Sequence, residues 1–303
     1  MRRRGLVLVS IVWLMVGGYG VYSYASDYYV YRGFGAPRDP PGVSAGSLVR
    51  ASLPSAALGE RRSYDVYLPP GYAAAKARGQ RFGVLYLLHG SPGWPRLFLN
   101  AGALGVAMDT LVAQHRIAPM LVVMPDGRDG SLRADTEWAD TPHGHYESFV
   151  LEVVRAVDRR LPTIADRRHR VIAGNSEGAY AAANLALRHL DGFGAFEAWS
   201  GYYRQTPTGV FKRLPASALR ANSPVDHVAG LRGALAKMPL RAYLYGGAQD
   251  SDTRQLAPFA AALRAAGGRV TARVLPGRHD WSLWRAQTPA MLRWAAAAMS
   301  AKR

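Results

Sequence analysis

Ser176, Asp250 and His279 are the residues whose types, order and setting could carry nucleophilic chemistry. Ser176 sits in Gly174-Asn175-Ser176-Glu177-Gly178, a G-x-S-x-G pattern. The apolar run Arg170-Val171-Ile172-Ala173 precedes it and an Ala-rich run from Tyr180 to Arg188 follows. A strand, a sharp turn and a helix in that order would lift a serine hydroxyl above a sheet edge. Side chains would clash in so tight a turn, which is why glycine is needed on both sides. The same turn would put the Glu177 N–H at a helix N-terminus, where it could hold a developing oxyanion. Glycine is common here, 32 of 303 residues. The pattern therefore gains its weight from the strand–turn–helix setting.

A serine hydroxyl is a weak nucleophile at neutral pH. It needs a base within hydrogen-bond reach and a carboxylate to orient that base. The chain offers both in the order serine, acid, histidine. Asp250 follows an apolar segment that ends in Tyr245-Gly246-Gly247, and His279 lies in Pro276-Gly277-Arg278-His279-Asp280. Asp252 is an alternative orienter, and Asp250 is preferred because it lies closer to the strand end. His115, His169, His189 and His227 read as surface or boundary residues, and His89 as a residue that shapes the next loop. A second oxyanion donor should come from His89-Gly90-Ser91-Pro92-Gly93. Ser91 N–H is the choice, since Pro92 has no N–H. His143 and His145, with Asp135 and Asp140, form no ligand-spacing motif and read as a solvated loop. Trp94, Trp138, Trp281 and Trp284 fall near the expected active edge, either as pocket walls or as core.

These residues must be positioned by strands and helices. Ser47 to Leu53 and Arg61 to Leu68 read as strands, the second alternating at period two. Phe82 to Leu88 and Met120 to Met124 are continuous apolar runs, as expected of strands buried on both faces. Ala195 to Ser200, Leu240 to Tyr245 and Arg269 to Leu275 read as further strands. Ala103 to Gln114, Tyr146 to Arg159, Gln255 to Ala266 and Trp281 to Met299 read as helices, the last kinked or restarted at Pro289. Strands alternating with helices predict an α/β fold: a mostly parallel central sheet with helices on both faces, the α/β-hydrolase arrangement.

The motifs resemble those of the esterase D-like family of α/β-hydrolases, which includes feruloyl esterases and secreted mycolyltransferases. The resemblance runs from about Arg61 to Trp294. It is carried by Arg62-Ser63-Tyr64-Asp65-Val66-Tyr67-Leu68-Pro69-Pro70-Gly71-Tyr72, Leu85-Tyr86-Leu87-Leu88-His89-Gly90, Gly246-Gly247-Ala248-Gln249-Asp250-Ser251 and Gly277-Arg278-His279-Asp280-Trp281-Ser282-Leu283-Trp284. It implies Ser176 as nucleophile, His279 as base, Asp250 as orienter, and oxyanion donors at Glu177 and Ser91. The expected triad mechanism needs no metal or organic cofactor. The chain departs from the family in placing Glu177 after the serine. A carboxylate there is expected to raise the pKa of the histidine or to disfavour anionic substrates. The loop Ser91 to Leu97 is also individual.

Composition bounds the rest. Hydrophobic residues make up 49% and charged residues 19%, enough for a large core. There is no cysteine, which excludes disulfides and thiol chemistry. The net charge is +17, yet only Lys76, Lys212, Lys237 and Lys302 among 38 basic residues are lysine. Abundant Arg, Ala and Gly fit a GC-rich genome, and no nucleic-acid-binding module is recognisable. Arg2-Arg3-Arg4 followed by an apolar run from Leu6 to Tyr22 predicts an export signal or anchor over residues 1–32. Ser23-Tyr24-Ala25 would suit a signal peptidase, whereas six tyrosines from Tyr19 to Tyr31 favour an uncleaved anchor. Residues 33–46 read as a Pro/Gly linker and 47–303 as the catalytic domain. The expected activity is a serine esterase outside the cytoplasmic membrane, acting on a small-molecule or cell-envelope ester. An acyltransferase and a non-catalytic envelope-binding protein are the rival readings.

Overall fold

The computed structural model describes residues 2–131 and 135–300. A long helix, α1 (Arg2–Tyr31), is followed by strands β1 (Ser47–Ser55) and β2 (Glu60–Leu68), helix α2 (Tyr72–Ala77) and strand β3 (Val84–Leu88). Helices α3 (Leu97–Asn100) and α4 (Leu104–Ala113) lead to β4 (Leu121–Pro125). A two-residue hairpin, β5 (Asp140–Thr141) and β6 (Gly144–His145), precedes α5 (Tyr146–Arg160). The order continues with β7 (Arg170–Asn175), α6 (Glu177–Arg188) and β8 (Ala195–Trp199). Three short helices, α7 (Ala216–Ala221), α8 (Pro224–His227) and α9 (Arg232–Lys237), come next. The chain closes with β9 (Arg241–Gly247), α10 (Leu256–Ala265), β10 (Arg269–Leu275) and α11 (Trp281–Ser300).

Eight strands form one sheet in the order β1-β2-β4-β3-β7-β8-β9-β10. β1–β2 and β2–β4 pair antiparallel, and the remaining neighbours pair parallel. Alternation along the central strands sorts their side chains to two apolar layers. Tyr86, Leu88, Ile172, Phe196 and Leu244 face α5, α6 and α10. Leu85, Leu87, Val171, Trp199 and Tyr245 face α4 and α11. Residues of β3 and β4 are buried on both faces, which explains their unbroken apolar runs. Each such Leu or Val contributes roughly 1.5–3 kcal/mol by leaving water.

Pro289 neither ends nor restarts α11, which runs unbroken through it. One residue before it, the single Thr288 hydroxyl proton is shared between the Gly102 carbonyl at 2.9 Å and the Trp284 carbonyl at 3.1 Å, which ties the helix to the loop before α4. Beyond it, Met291, Leu292 and Ala295 are buried against the sheet. Strand β1 opens at Ser47, and the segment before it is attached to the sheet. Gly46 N–H donates to Asp109 at 3.0 Å, and the Tyr67 hydroxyl donates to the same carboxylate at 2.5 Å. Among the described residues no helix is long and apolar enough to cross a membrane, so no spanning anchor is shown.

Candidate active site

The turn between β7 and α6 presents Ser176 with φ 56° and ψ −121°, a conformation that side chains avoid. Packing around the turn holds it there. A Cβ on Gly178 would lie 2.0 Å from the Leu88 carbonyl oxygen, and one on Gly174 would lie 2.5 Å from Gly178. Both glycines are therefore required by close approach of β3 to the turn. Ser176 N–H donates to the Trp199 carbonyl at 2.9 Å, tying the turn to β8. Such a backbone costs on the order of 1–3 kcal/mol, which the surrounding packing must supply.

Three loops at the carboxyl ends of parallel strands bring the expected side chains together. His279 Nε2 lies 2.8 Å from Ser176 Oγ, and His279 Nδ1 lies 2.9 Å from Asp250 Oδ2. With Nδ1–H donating to the carboxylate, Nε2 is left as the acceptor for the serine hydroxyl. Asp250, after β9, is buried and also accepts from Asp252 N–H at 2.9 Å. Asp252 thus supports the acid loop rather than the imidazole. The imidazole edge rests on Trp284, whose indole N–H donates to Ser200 Oγ at 3.2 Å. Asp250, Asp252 and His279 are also the group of potential ligand atoms close enough to hold a metal among the described residues. The His143–His145 loop forms no such group.

Glu177 opens α6, so its N–H is one of the helix's unbonded first-turn donors. Its carboxyl turns away from the imidazole. It accepts from Thr136 N–H at 3.2 Å and from the Thr136 hydroxyl at 3.4 Å, and it is buried. Burial, followed by the nearby Glu137 carboxyl, pushes it well above the usual carboxylate range. The carboxyl is thus bonded to another loop, and no hydrogen bond joins it to the imidazole that it was expected to influence. Glu137 accepts from the Tyr202 hydroxyl at 2.6 Å and from the Gln205 amide at 2.9 Å. Burial, with repulsion from Asp135, raises Glu137 to about 7.

His89 shapes the loop after β3. Its Nε2 accepts from Gly127 N–H at 3.1 Å, so Nδ1 carries the proton and donates to the Gly90 carbonyl at 3.1 Å. Burial lowers His89 to about 4, keeping it neutral. Trp138 is fully buried and donates to the His89 carbonyl at 3.0 Å. Trp138 is therefore core, whereas Trp281 and Trp284 line a cavity of about 440 Å³ over Ser176, His279 and Ser91.

Tyr28, Arg32 and Phe34 line the same cavity. Sequence reasoning assigned these residues to an anchor and a linker. The dense tyrosines ending in Arg32-Gly33 were the available signal, and interfacial chemistry explained them equally well.

The sheet order and a serine on the turn after the fifth main strand define an α/β-hydrolase. Within that class the chain belongs to the Esterase family, which it matches over residues 55–295. An endo-1,4-beta-xylanase/feruloyl esterase of Xylanibacter ruminicola is 29% identical over 180 residues, 58% of this chain and 23% of that protein. An esterase of Mycobacterium tuberculosis is 26% identical over 182 residues, 60% of this chain and 35% of that protein. The chain thus spans about a third or less of these relatives' length. Among solved structures, a ferulic acid esterase superposes with a TM-score of 0.75 at 28% identity, covering 84% of this chain and 99% of that one. An S-formylglutathione hydrolase from Agrobacterium tumefaciens shares the fold, with a TM-score of 0.69 at 16% identity over 88% of this chain and all of that one.

Proposed function

We propose that the protein hydrolyses carboxylic esters through Ser176, His279 and Asp250. The observation that carries this reading is the unbroken line of hydrogen bonds from Ser176 Oγ through the imidazole to the buried Asp250 carboxylate, beneath an open cavity. Ser176 Oγ attacks the ester carbonyl as Nε2 takes its proton. Asp250 holds the imidazolium. The N–H groups of Glu177 and Ser91 hold the oxyanion of the tetrahedral intermediate. The imidazolium then gives its proton to the leaving alcohol, leaving an acyl-Ser176. Water, deprotonated by Nε2, attacks that ester; the acid departs and Ser176 recovers its proton. Apart from substrate and water, every group in these steps belongs to the chain.

Feruloyl esterases among the relatives favour esters over amides. The cavity mixes Trp281, Trp284 and Phe34 with Ser91, Arg32 and Asp280, and so does not favour a dry acyl-transfer groove. Arg2-Arg3-Arg4 ahead of an apolar run supports a site of action outside the cytoplasmic membrane.

Labelling of the full chain by a fluorophosphonate, with hydrolysis of a short-chain p-nitrophenyl ester, tests the proposal. Both should disappear in Ser176→Ala. A folded wild-type protein that takes no label would refute the mechanism.

A further inference from the structure

Part of the cavity lining, Tyr28, Arg32 and Phe34, comes from outside the family-matched region. Residues 28–34 precede the match, which begins at residue 55. They are nevertheless fastened to two elements that frame the site. The Tyr29 ring stacks on Trp94, in the loop after β3, with centroids 4.5 Å apart. The Arg32 guanidinium lies over both rings, 5.3 Å from the Trp94 centroid and 5.6 Å from that of Tyr29. Phe34 lies under the guanidinium of Arg285, 4.7 Å away, on α11. An arginine over an aromatic face is held by attraction to the ring's negative face, more strongly the less water reaches it. Arg32 and Gly33 have φ of 55° and 85°, so the chain turns sharply off the end of α1 to reach the cavity.

Arg32 is held in place without being satisfied. No carboxylate pairs with it among the described residues. Its Nε is buried with no acceptor. Its Nη2 reaches the Pro92 carbonyl only at 3.5 Å, the outer limit of a hydrogen bond. A buried, unbonded donor on a charged group is costly because it has given up water without gaining an acceptor. Compensation of the α1 dipole accounts for a cation at this helix end, but not for one that lines a cavity with a buried donor unbonded. Asp280, the acid that also lines the cavity, is already engaged: it accepts from Ser282 N–H at 2.9 Å and from Leu283 N–H at 3.3 Å. His279 is bonded to Asp250 and Ser176. Among the described charged residues of this cavity, the free capacity for recognising an anion therefore belongs to Arg32.

We infer that Arg32 is a specificity residue that receives an anionic substituent of the ester, a carboxylate or a phosphate, while the scissile carbonyl lies at Ser176. The inference rests on the serine-hydrolase reading of the site. A planar guanidinium already oriented by stacking can meet either anion with paired N–H donors. The net charge of +17 assists the approach of such a substrate.

The test uses the full chain and matched p-nitrophenyl-type esters: one pair with the anion on the acyl part, one with it on the alcohol part. Each pair is made as carboxylate and as phosphate, against neutral methyl-ester counterparts. Wild type should prefer the anionic member of at least one pair by about tenfold or more in kcat/KM. The preference should collapse towards one in Arg32→Gln and be partly retained in Arg32→Lys. In wild type it should weaken as salt rises from about 0.05 to 0.5 M. The anion giving the larger preference identifies the source. No preference in wild type with any pair, or a preference undiminished in Arg32→Gln, overturns the proposal. Should Arg32→Gln fail to fold, a preference in wild type that ignores salt and survives in Arg32→Lys unchanged overturns it equally. Absence of both turnover and fluorophosphonate labelling would instead strike the serine-hydrolase reading.

Discussion

At the level of single residues the site separates groups that look alike in sequence. Asp250 and Asp252 lie two positions apart, yet only Asp250 reaches the imidazole. Replacing Asp250 by Asn should lower kcat by about 10³–10⁴-fold, because the amide favours the wrong histidine tautomer. Asp252→Asn should leave kcat within about tenfold, since Asp252 bonds Asp250 through its backbone N–H. Comparable losses in the two variants would reassign the acid. A second carboxyl, Glu137, gives a pH signature. Its folded-state pKa of about 7 exceeds the ordinary carboxylate value, so the folded protein holds this proton more tightly than the unfolded chain. Its contribution to stability is complete at pH values below about 4.5, declines as pH rises to about 7, and stays lost above that. Glu137→Gln can still accept from Tyr202 and Gln205. Its Tm relative to wild type should rise by a few degrees between pH 4.5 and 7 and then level off. A difference curve that is flat in pH would show that Glu137 ionises normally.

At the level of elements the nucleophile turn makes the sharpest demand. Gly178→Ala should cost about 3 kcal/mol or more, the upper end for overpacking, because the new methyl group meets the Leu88 carbonyl rather than a side chain that can move. Gly233→Ala on α9 has open space around it and should stabilise by ~0.5–1 kcal/mol. Thermal melts of both variants check the contrast, and equal shifts would refute it. These elements were legible because each had a one-dimensional signature. β3 and β4 read as apolar runs, β2 as an alternation, and the turn as two glycines around a serine. The helices between Ser200 and β9 were not read, because α7, α8 and α9 are each six residues or fewer, too short to show a period. At Pro289 the local rule for proline does not interrupt α11, which continues with buried residues on both sides of it.

At the level of the molecule, the charge-bearing wall of the site was hidden from sequence reasoning for a physical reason. Nothing in residues 28–34 has a period or a motif, and their contacts to Trp94 and Arg285 join residues far apart along the chain, which only the fold brings together. The same contacts predict what truncation does. A chain beginning at Ser26, just after Ala25, keeps Tyr28, Arg32 and Phe34; one beginning at Ser47 loses them and the Gly46 bond to the buried Asp109. The shorter chain should melt lower by several degrees and show raised KM, whereas the Ser26 chain should match the full one. Equal KM and Tm for all three would mean that the segment is not part of the site. Because the wall and the occupant of the cavity touch, their affinities are coupled, and the coupling is reciprocal. Whatever the cavity holds must fasten residues 28–34 more firmly by the factor with which they tighten its grip. The exposed Arg38 downstream should then be cut more slowly by trypsin while the cavity is filled, so the state of the reaction centre can be read from the lifetime of a peptide bond outside it.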